Sequence, residues 1–304
     1  MTALDFGTTV LGGNVFGWTA DRATSFAVLD AFVDAGGTAI DTADSYSHWI
    51  EGNSGGESET IIGDWLASRG RRDDLVISTK VSSLPARAGL APANIAAAVD
   101  DSLRRLRTDR IDVYFAHRDD PEVPQEDYLG AFDALVKSGK VREIGASAFS
   151  ADRLRSAAAI AKENGLTPFT VAQDEWSLVS RRIEAEVVPA IAELGLTEIT
   201  YYSLASGFLS GKYRPGTDVD SARAPRAAAY LDQPRNVELL SALDEIAAAH
   251  GSTVAAVSLA WLRAQPVVGA PIASARTVDQ LPPLLDVVEL DADEVERLGA
   301  ITAP

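Results

Sequence analysis

Asp41, Tyr46, Lys80 and His117 bring a carboxylate, a phenol, an amine and an imidazole into one 304-residue chain. Together these groups form a usable acid–base set. Three of them close short apolar runs. Thr38-Ala39-Ile40 precedes Asp41, Leu75 to Thr79 precedes Lys80, and Ile111 to Ala116 precedes His117. Tyr46 follows Asp41 by five residues. Side chains at the ends of parallel barrel strands sit where such folds do their chemistry.

The elements needed to position them can be traced along the chain. Apolar runs begin near Val10-Leu11, Thr38, Leu75, Ile111, Glu143 to Ser147, Phe169 to Ala172, Ile199 to Ser203, and Val267 to Ala273. Amphipathic helical patterns lie between them, as in Phe26, Leu29, Phe32 and Val33, or Leu129, Phe132, Leu135 and Val136. Eight near-continuous apolar strands alternating with helices predict an α/β chain, a (β/α)₈ barrel of one domain over residues 1–304. The alternative is an open doubly wound sheet, but Gly12-Gly13-Asn14-Val15-Phe16-Gly17 does not have its G-x-G-x-x-G turn. Two long connections would hang over the C-terminal mouth, Ser47 to Glu59 and Ala205 to Arg235. The second carries five basic and three acidic side chains, so it is locally positive.

Composition removes other classes. The chain has no cysteine, which excludes disulfides, thiolate metal sites and cysteine nucleophiles. Its net charge of −17 opposes binding to nucleic acid or anionic membrane. No run of about 18 apolar residues predicts a membrane span. Met1 to Val10 lacks a basic, apolar leader, and a cytoplasmic enzyme is expected. The three histidines lack zinc-site spacing, so no metal is expected, and no G-x-S-x-G elbow is present.

Several segments carry a specific resemblance. Ile40-Asp41-Thr42-Ala43-Asp44-Ser45-Tyr46, Ser78-Thr79-Lys80 and Phe115-Ala116-His117-Arg118-Asp119-Asp120-Pro121 come first. Gly139 to Ser147, Gln173 to Leu178, Tyr202 to Tyr213 and Ile272 to Leu281 follow in order. This ordered set resembles the aldo-keto reductases over nearly the whole chain, in the branch that includes potassium-channel β subunits. The resemblance implies reduction of an aldehyde or ketone by hydride from a nicotinamide, with Tyr46 as general acid. Lys80 would lower the phenol's pKa from its usual value of about 10. Asp41 would hold Lys80 charged, and His117 would donate to the carbonyl oxygen.

The resemblance also implies a cofactor cradle. Ser147 and Gln173 would hold the carboxamide, and Tyr202 would stack on the nicotinamide. Ser203, Leu204, Ala205, Gly207 and Leu209 would line the pyrophosphate. Lys212 and Arg223 would neutralise it, although Arg223 also reads as a solvated loop charge. Arg276 and Gln280 would meet the adenosine 2′-phosphate, so NADPH is expected, with NADH the alternative. The chain departs from the family pattern at Ala148, where an Asn is common, and at Pro283 and Leu284. Phe16, Trp18, Trp49 and Trp176, with Phe149 and Tyr230, would form an aromatic pocket for a small-molecule carbonyl substrate. Trp65 and Trp261 read as packing residues. Two other readings stay open: a nucleotide-sensing binding subunit with incidental reductase activity, and a two-carboxylate hydrolase using Asp41, Asp44 and Asp119. The oligomeric state is not legible.

Overall fold

A computed structural model describes residues 4–303. Its strands are β1 (Val10–Gly12), β2 (Ala39–Asp41), β3 (Val76–Val81), β4 (Ile111–Ala116), β5 (Val141–Ser147), β6 (Val171–Gln173), β7 (Thr197–Thr200) and β8 (Val268–Ala273). They pair in sequence order, all parallel, and β8 pairs back onto β1 to close the barrel. The expected (β/α)₈ architecture is the one observed.

Strand periodicity explains where the polar residues end up. Successive side chains on a strand alternate between two faces. Val10, Ala39, Val76, Val113, Val171, Ile199, Ala270 and Ile272 form one buried cluster with Phe6 and Phe115, the barrel interior. Counting on in twos along the same strands gives Gly12, Asp41, Ser78, Lys80, His117 and Gln173. One inward row is therefore apolar at the bottom of the barrel and polar at the top. The opposite row, with Leu11, Ile40, Ile77, Tyr114, Ile144 and Ala172, packs outward against the helices. The interior is filled closely. A Cβ on Gly145 would lie 2.3 Å from the Phe115 ring, so only glycine leaves that ring its place on the neighbouring strand.

Helices α1 (Arg22–Asp34), α2 (Glu57–Arg69), α3 (Pro92–Leu106), α4 (Gln125–Lys137), α5 (Ala151–Asn164) and α6 (Val187–Leu194) follow strands one to six. Helix α3 buries Ile95, Val99, Ser102 and Leu106, one stripe of a 3.6-residue period. Asp21 and Ser150 cap α1 and α5 by accepting from the backbone N–H groups of Thr24 and Arg153. Each such cap is worth about 1 kcal/mol.

The connection after β7 is where the chain departs most from regular alternation. It contains a 3-10 segment (Ala205–Ser210), a short helix α7 (Ala224–Ala228), and then α8 (Pro234–Ala249) and α9 (Val254–Arg263) before β8. The seventh strand also ends earlier than its apolar run suggests. It stops at Thr200, because Tyr202 takes a left-handed φ of 51° that no strand continues through. Tyr202 and Ser203 thus lie on a turn. After β8 come α10 (Pro282–Leu285) and α11 (Ala292–Ile301). Among the described residues, no helix is long and apolar enough to cross a membrane.

Candidate active site

Asp41, at the end of β2, is the hub of the site. Its Oδ2 accepts from Lys80 Nζ at 2.6 Å and from the Tyr46 hydroxyl at 3.3 Å. Its Oδ1 accepts from Ser78 Oγ at 2.8 Å and from Gln173 Nε2 at 3.0 Å. Lys80 spends its other two N–H bonds on the Thr42 carbonyl oxygen at 2.7 Å and on the Tyr46 hydroxyl oxygen at 3.0 Å. Asp41 and Lys80 are buried, so this ion pair is screened little by solvent. The phenol therefore sits between an ammonium that donates to it and a carboxylate that accepts from it.

The electrostatic outcome differs from the expectation that Lys80 lowers the Tyr46 pKa. Burial, then the Asp41 carboxylate, push the phenol well above its ordinary value. Lys80 and Asp41 largely offset each other's charge, and the cost of stripping water from a phenolate remains. Burial also pulls the Lys80 ammonium down, against the pull of Asp41. Tyr46 thus keeps its proton throughout the neutral range. His117 begins just past β4, its backbone N–H donating to the Val81 carbonyl at 2.9 Å. Its ring centroid is 6.1 Å from that of Tyr46, and its Nδ1 is 3.5 Å from Ser45 Oγ. Burial, with Lys80 and Arg118, holds the imidazole well below its ordinary pKa. A neutral ring keeps a single N–H to offer a ligand oxygen.

Behind this group lies a second buried acid. Asp44 is fully buried, and neither carboxylate oxygen has a hydrogen-bond partner. The nearby Glu59 is bonded to Arg105 at 2.6 Å and to Thr79 at 2.6 Å, so that cation is already engaged. Burial and then Glu59 push the Asp44 carboxyl from 3.8 up to about 8. Between those values the unfolded chain has lost a proton that the folded chain retains. Stability from this group is full at acid pH, falls as pH rises through that window, and levels above about 8. Asp44→Asn should remove the slope and stabilise the protein at pH 8 by up to about 5 kcal/mol. Urea unfolding of both proteins at pH 5 and pH 8 measures it, and parallel slopes would refute it.

These groups open onto a cavity of about 830 Å³ at the C-terminal mouth of the barrel. Of the residues singled out in the sequence, Asp41, Tyr46, His117, Ser147, Gln173, Tyr202, Ser203, Leu204, Gly207, Lys212, Arg223, Arg276, Gln280 and Trp49 line it. Lys80 lies directly behind Asp41 and Tyr46. The four lining lysine and arginine side chains, Arg118, Lys212, Arg223 and Arg276, have no carboxylate partner among the described residues. Lys212 and Arg223 are both pulled down, by burial and then by the other cations nearby. Gln280 accepts from the Arg276 backbone N–H at 2.9 Å, and Asn14 accepts from Arg223 at 3.3 Å. Ala205, Ser206 and Gly207 pass through three consecutive left-handed conformations, with φ of 47°, 60° and 98°. Backbone strain of this kind collects at ligand clamps. Ala148 is also left-handed, with φ of 56°, a conformation that Asn or Gly adopts more readily than Ala.

Other expected site residues stand off the cavity. Ala205 and Leu209 are buried in the core behind it. Phe16 is buried because the 3-10 turn of Gly13–Val15 rotates it into the core. Trp176 lies on the outward parity after β6. It packs edge-on against Trp261 at 6.3 Å and donates its indole N–H to Glu184 at 2.8 Å. Trp18 stays at the rim, edge-on to Trp49 at 5.6 Å and beneath the Arg223 guanidinium at 5.2 Å. Phe149 packs on Phe169 and Tyr230 on Phe208. Sequence reasoning passed over Asn14, His48, Ser83, Arg118 and Ser274, all on the lining. Ser274 could have been found by counting two past inward-facing Ile272. The others sit on loops with no such periodicity.

The protein-family model described as "Aldo/keto reductase family" matches residues 3–303. The chain belongs to the aldo/keto reductase family. It is an oxidoreductase of a family whose members reduce carbonyl compounds with nicotinamide cofactors. Among its relatives is a Bacillus subtilis protein named uncharacterized oxidoreductase YrpG, 35% identical over 93% of this chain and 88% of that protein. Aldo-keto reductase YhdN from the same species is 32% identical over 98% of this chain and 89% of its own length. The Schizosaccharomyces pombe protein named aldo-keto reductase yakc (NADP(+)) is 34% identical over 83% of this chain and 73% of its own length.

Proposed function

We propose that this protein reduces an aldehyde or ketone to an alcohol at the expense of NADPH, with Tyr46 as the general acid. One observation carries the reading: the Tyr46 hydroxyl, bonded to Lys80 at 3.0 Å, faces the same cavity as Lys212, Arg223 and Arg276, cations without carboxylate partners among the described residues. The nicotinamide, when bound, supplies hydride to the carbonyl carbon. The residues present fit such a dinucleotide. Gln173 is oriented by its bond to Asp41 and lines the cavity beside Ser147, its partner in the β5–β6 register. Lys212, Arg223 and Arg276 would neutralise its phosphates, with Arg276 on the 2′-phosphate.

The chain's own groups handle the oxygen. Neutral His117 donates its ring N–H to the substrate oxygen as negative charge grows there. Tyr46 turns its O–H from Asp41 to that oxygen and releases the proton. Even with a raised pKa the phenol does so readily, because an alkoxide is a far stronger base than a phenolate. Lys80 stabilises the phenolate left behind, and Asp41 keeps Lys80 in place.

Oxidation of NADPH followed by absorbance against a panel of aromatic and aliphatic carbonyls tests the reaction. Cofactor choice has its own test. Arg276→Met should weaken NADPH binding by about 10- to 100-fold, the worth of one or two charge-assisted hydrogen bonds, and leave NADH nearly unaffected. Quenching of tryptophan fluorescence reads both affinities. Equal weakening of the two would remove Arg276 from the 2′-phosphate.

A further inference from the structure

The charges of the cavity are divided between its two sides. Lys212, Arg223 and Arg276 come from the connections after β7 and β8. On the opposite side, the lining residues from the loops after β2, β3 and β4 include one lysine or arginine and no acid. That residue is Arg118, which follows His117 directly.

Arg118 is exposed, and among the described residues its guanidinium has one hydrogen bond, from Nε to Ser83 Oγ at 3.0 Å. Among the described residues it has no carboxylate partner, although the chain holds 44 acidic residues against 27 basic ones. Two aspartates follow it in sequence, and both are engaged elsewhere. Asp119 accepts from Arg153 at 2.6 and 2.9 Å. Asp120 accepts from the backbone N–H groups of Leu90 at 2.8 Å and Glu122 at 3.1 Å. The nearest acids are thus spent on holding the loop, and the guanidinium fork is left for something outside the chain. Its charge is felt at His117, whose imidazole it helps to keep neutral. Trp49 lines the cavity from the same side, is 46% exposed, and offers a flat apolar surface.

We propose that Arg118 binds an oxyanion group, carboxylate or phosphate, on the carbonyl substrate, so that the enzyme selects anionic aldehydes or ketones. The proposal rests on the reductase reading above and adds the substrate class. A guanidinium pairs with such groups through two parallel N–H···O bonds, which would orient the carbonyl toward Tyr46 and His117. It would also attract an anion locally toward a protein whose overall field repels one.

The test compares 4-carboxybenzaldehyde, 4-formylphenyl phosphate and the neutral methyl ester of the first compound, in the unaltered enzyme and in Arg118→Gln. At least one anionic aldehyde should show a kcat/KM about 10-fold or more above the ester, a preference that falls as salt is added. Arg118→Gln should raise KM for that aldehyde by about 10- to 100-fold, change its kcat little, and shift KM for the ester less than about twofold. Arg118→Lys should recover part of the loss. Which anion responds more strongly identifies the group. The same loss for ester and anions, or a preference for the ester, overturns the proposal and leaves the reductase reading standing. If no carbonyl compound oxidises NADPH, the reductase reading is what fails. Binding of 4-(hydroxymethyl)benzoate, read by tryptophan quenching in both proteins, then decides the anion site alone: Arg118-dependent binding supports it, and Arg118-independent or absent binding sinks it.

Discussion

Tyr46→Phe is expected to lower kcat for carbonyl reduction by about 10²- to 10⁴-fold, the usual worth of a positioned general acid. The substitution removes one oxygen. That oxygen accepts from Lys80 and donates to Asp41, yet those two residues remain bonded to each other at 2.6 Å without it. The fold and the cofactor cradle should therefore persist, and NADPH affinity should change by less than about threefold. This separation of turnover from binding distinguishes an acid from a residue that merely fills space. The pH profile supplies a second readout. Reduction needs the protonated phenol, and burial holds its pKa well above the usual value of about 10, so Tyr46 should cause no alkaline loss of activity up to about pH 10. No limb from His117 should appear between pH 6 and 8, because its pKa lies well below its ordinary value and the ring is already neutral there. Steady-state kinetics of both proteins from pH 6 to 10 would measure these effects. Undiminished turnover by the variant would end the assignment.

Lys80→Met should produce the largest loss of stability, about 3–5 kcal/mol. Among the described residues, the ammonium is the one full positive charge bonded to Asp41, and both groups are buried. Removing it leaves a carboxylate with only neutral donors, Ser78, Gln173 and Tyr46. Breaking one side of a buried pair costs far more than the pair contributes, since the remaining charge has lost its water and its partner. Adding Asp41→Asn to Lys80→Met should accordingly recover part of the loss, because the stranded charge is gone. Urea unfolding of the three variants beside the parent would show this order. A single variant within about 1 kcal/mol of the parent would mean that the ion pair is more hydrated than its burial implies. Activity cannot rescue the interpretation in either direction, since the double variant should unfold later than the single one while remaining impaired in reduction.

Much of this site is legible in the amino-acid sequence. Alternation along a strand is a local property, so apolar runs ending in Asp41, Lys80 and His117 already assign those side chains to the upper end of a barrel interior. The structure keeps all three there, with Tyr46 on the adjoining loop. The cofactor side was legible for the same reason at Ser147 and Gln173, which end β5 and β6. Aromatic residues on irregular loops were harder to place. Trp49 reaches the cavity, whereas Phe16 and Trp176 turn into the core, because a tryptophan or phenylalanine gains as much by packing under a helix as by lining a pocket.

The sequence by itself determined the number of strands, their order, the face each residue takes along them and the identity of the polar quartet. These depend on periods of two and of 3.6 residues and on strand-end position, all read within one segment. Tertiary structure alone decided how the quartet's charges balance. Asp41 draws donors from Ser78, Lys80 and Gln173, as many as 132 residues away, and burial of the phenol, then the carboxylate held there, sets the direction in which Tyr46 shifts. It also decided which cations lack partners. Arg118 precedes two aspartates in sequence, and only the folded chain commits both of them elsewhere. Electrostatic energies depend on distance and burial in space, and neither quantity is carried by spacing along the chain.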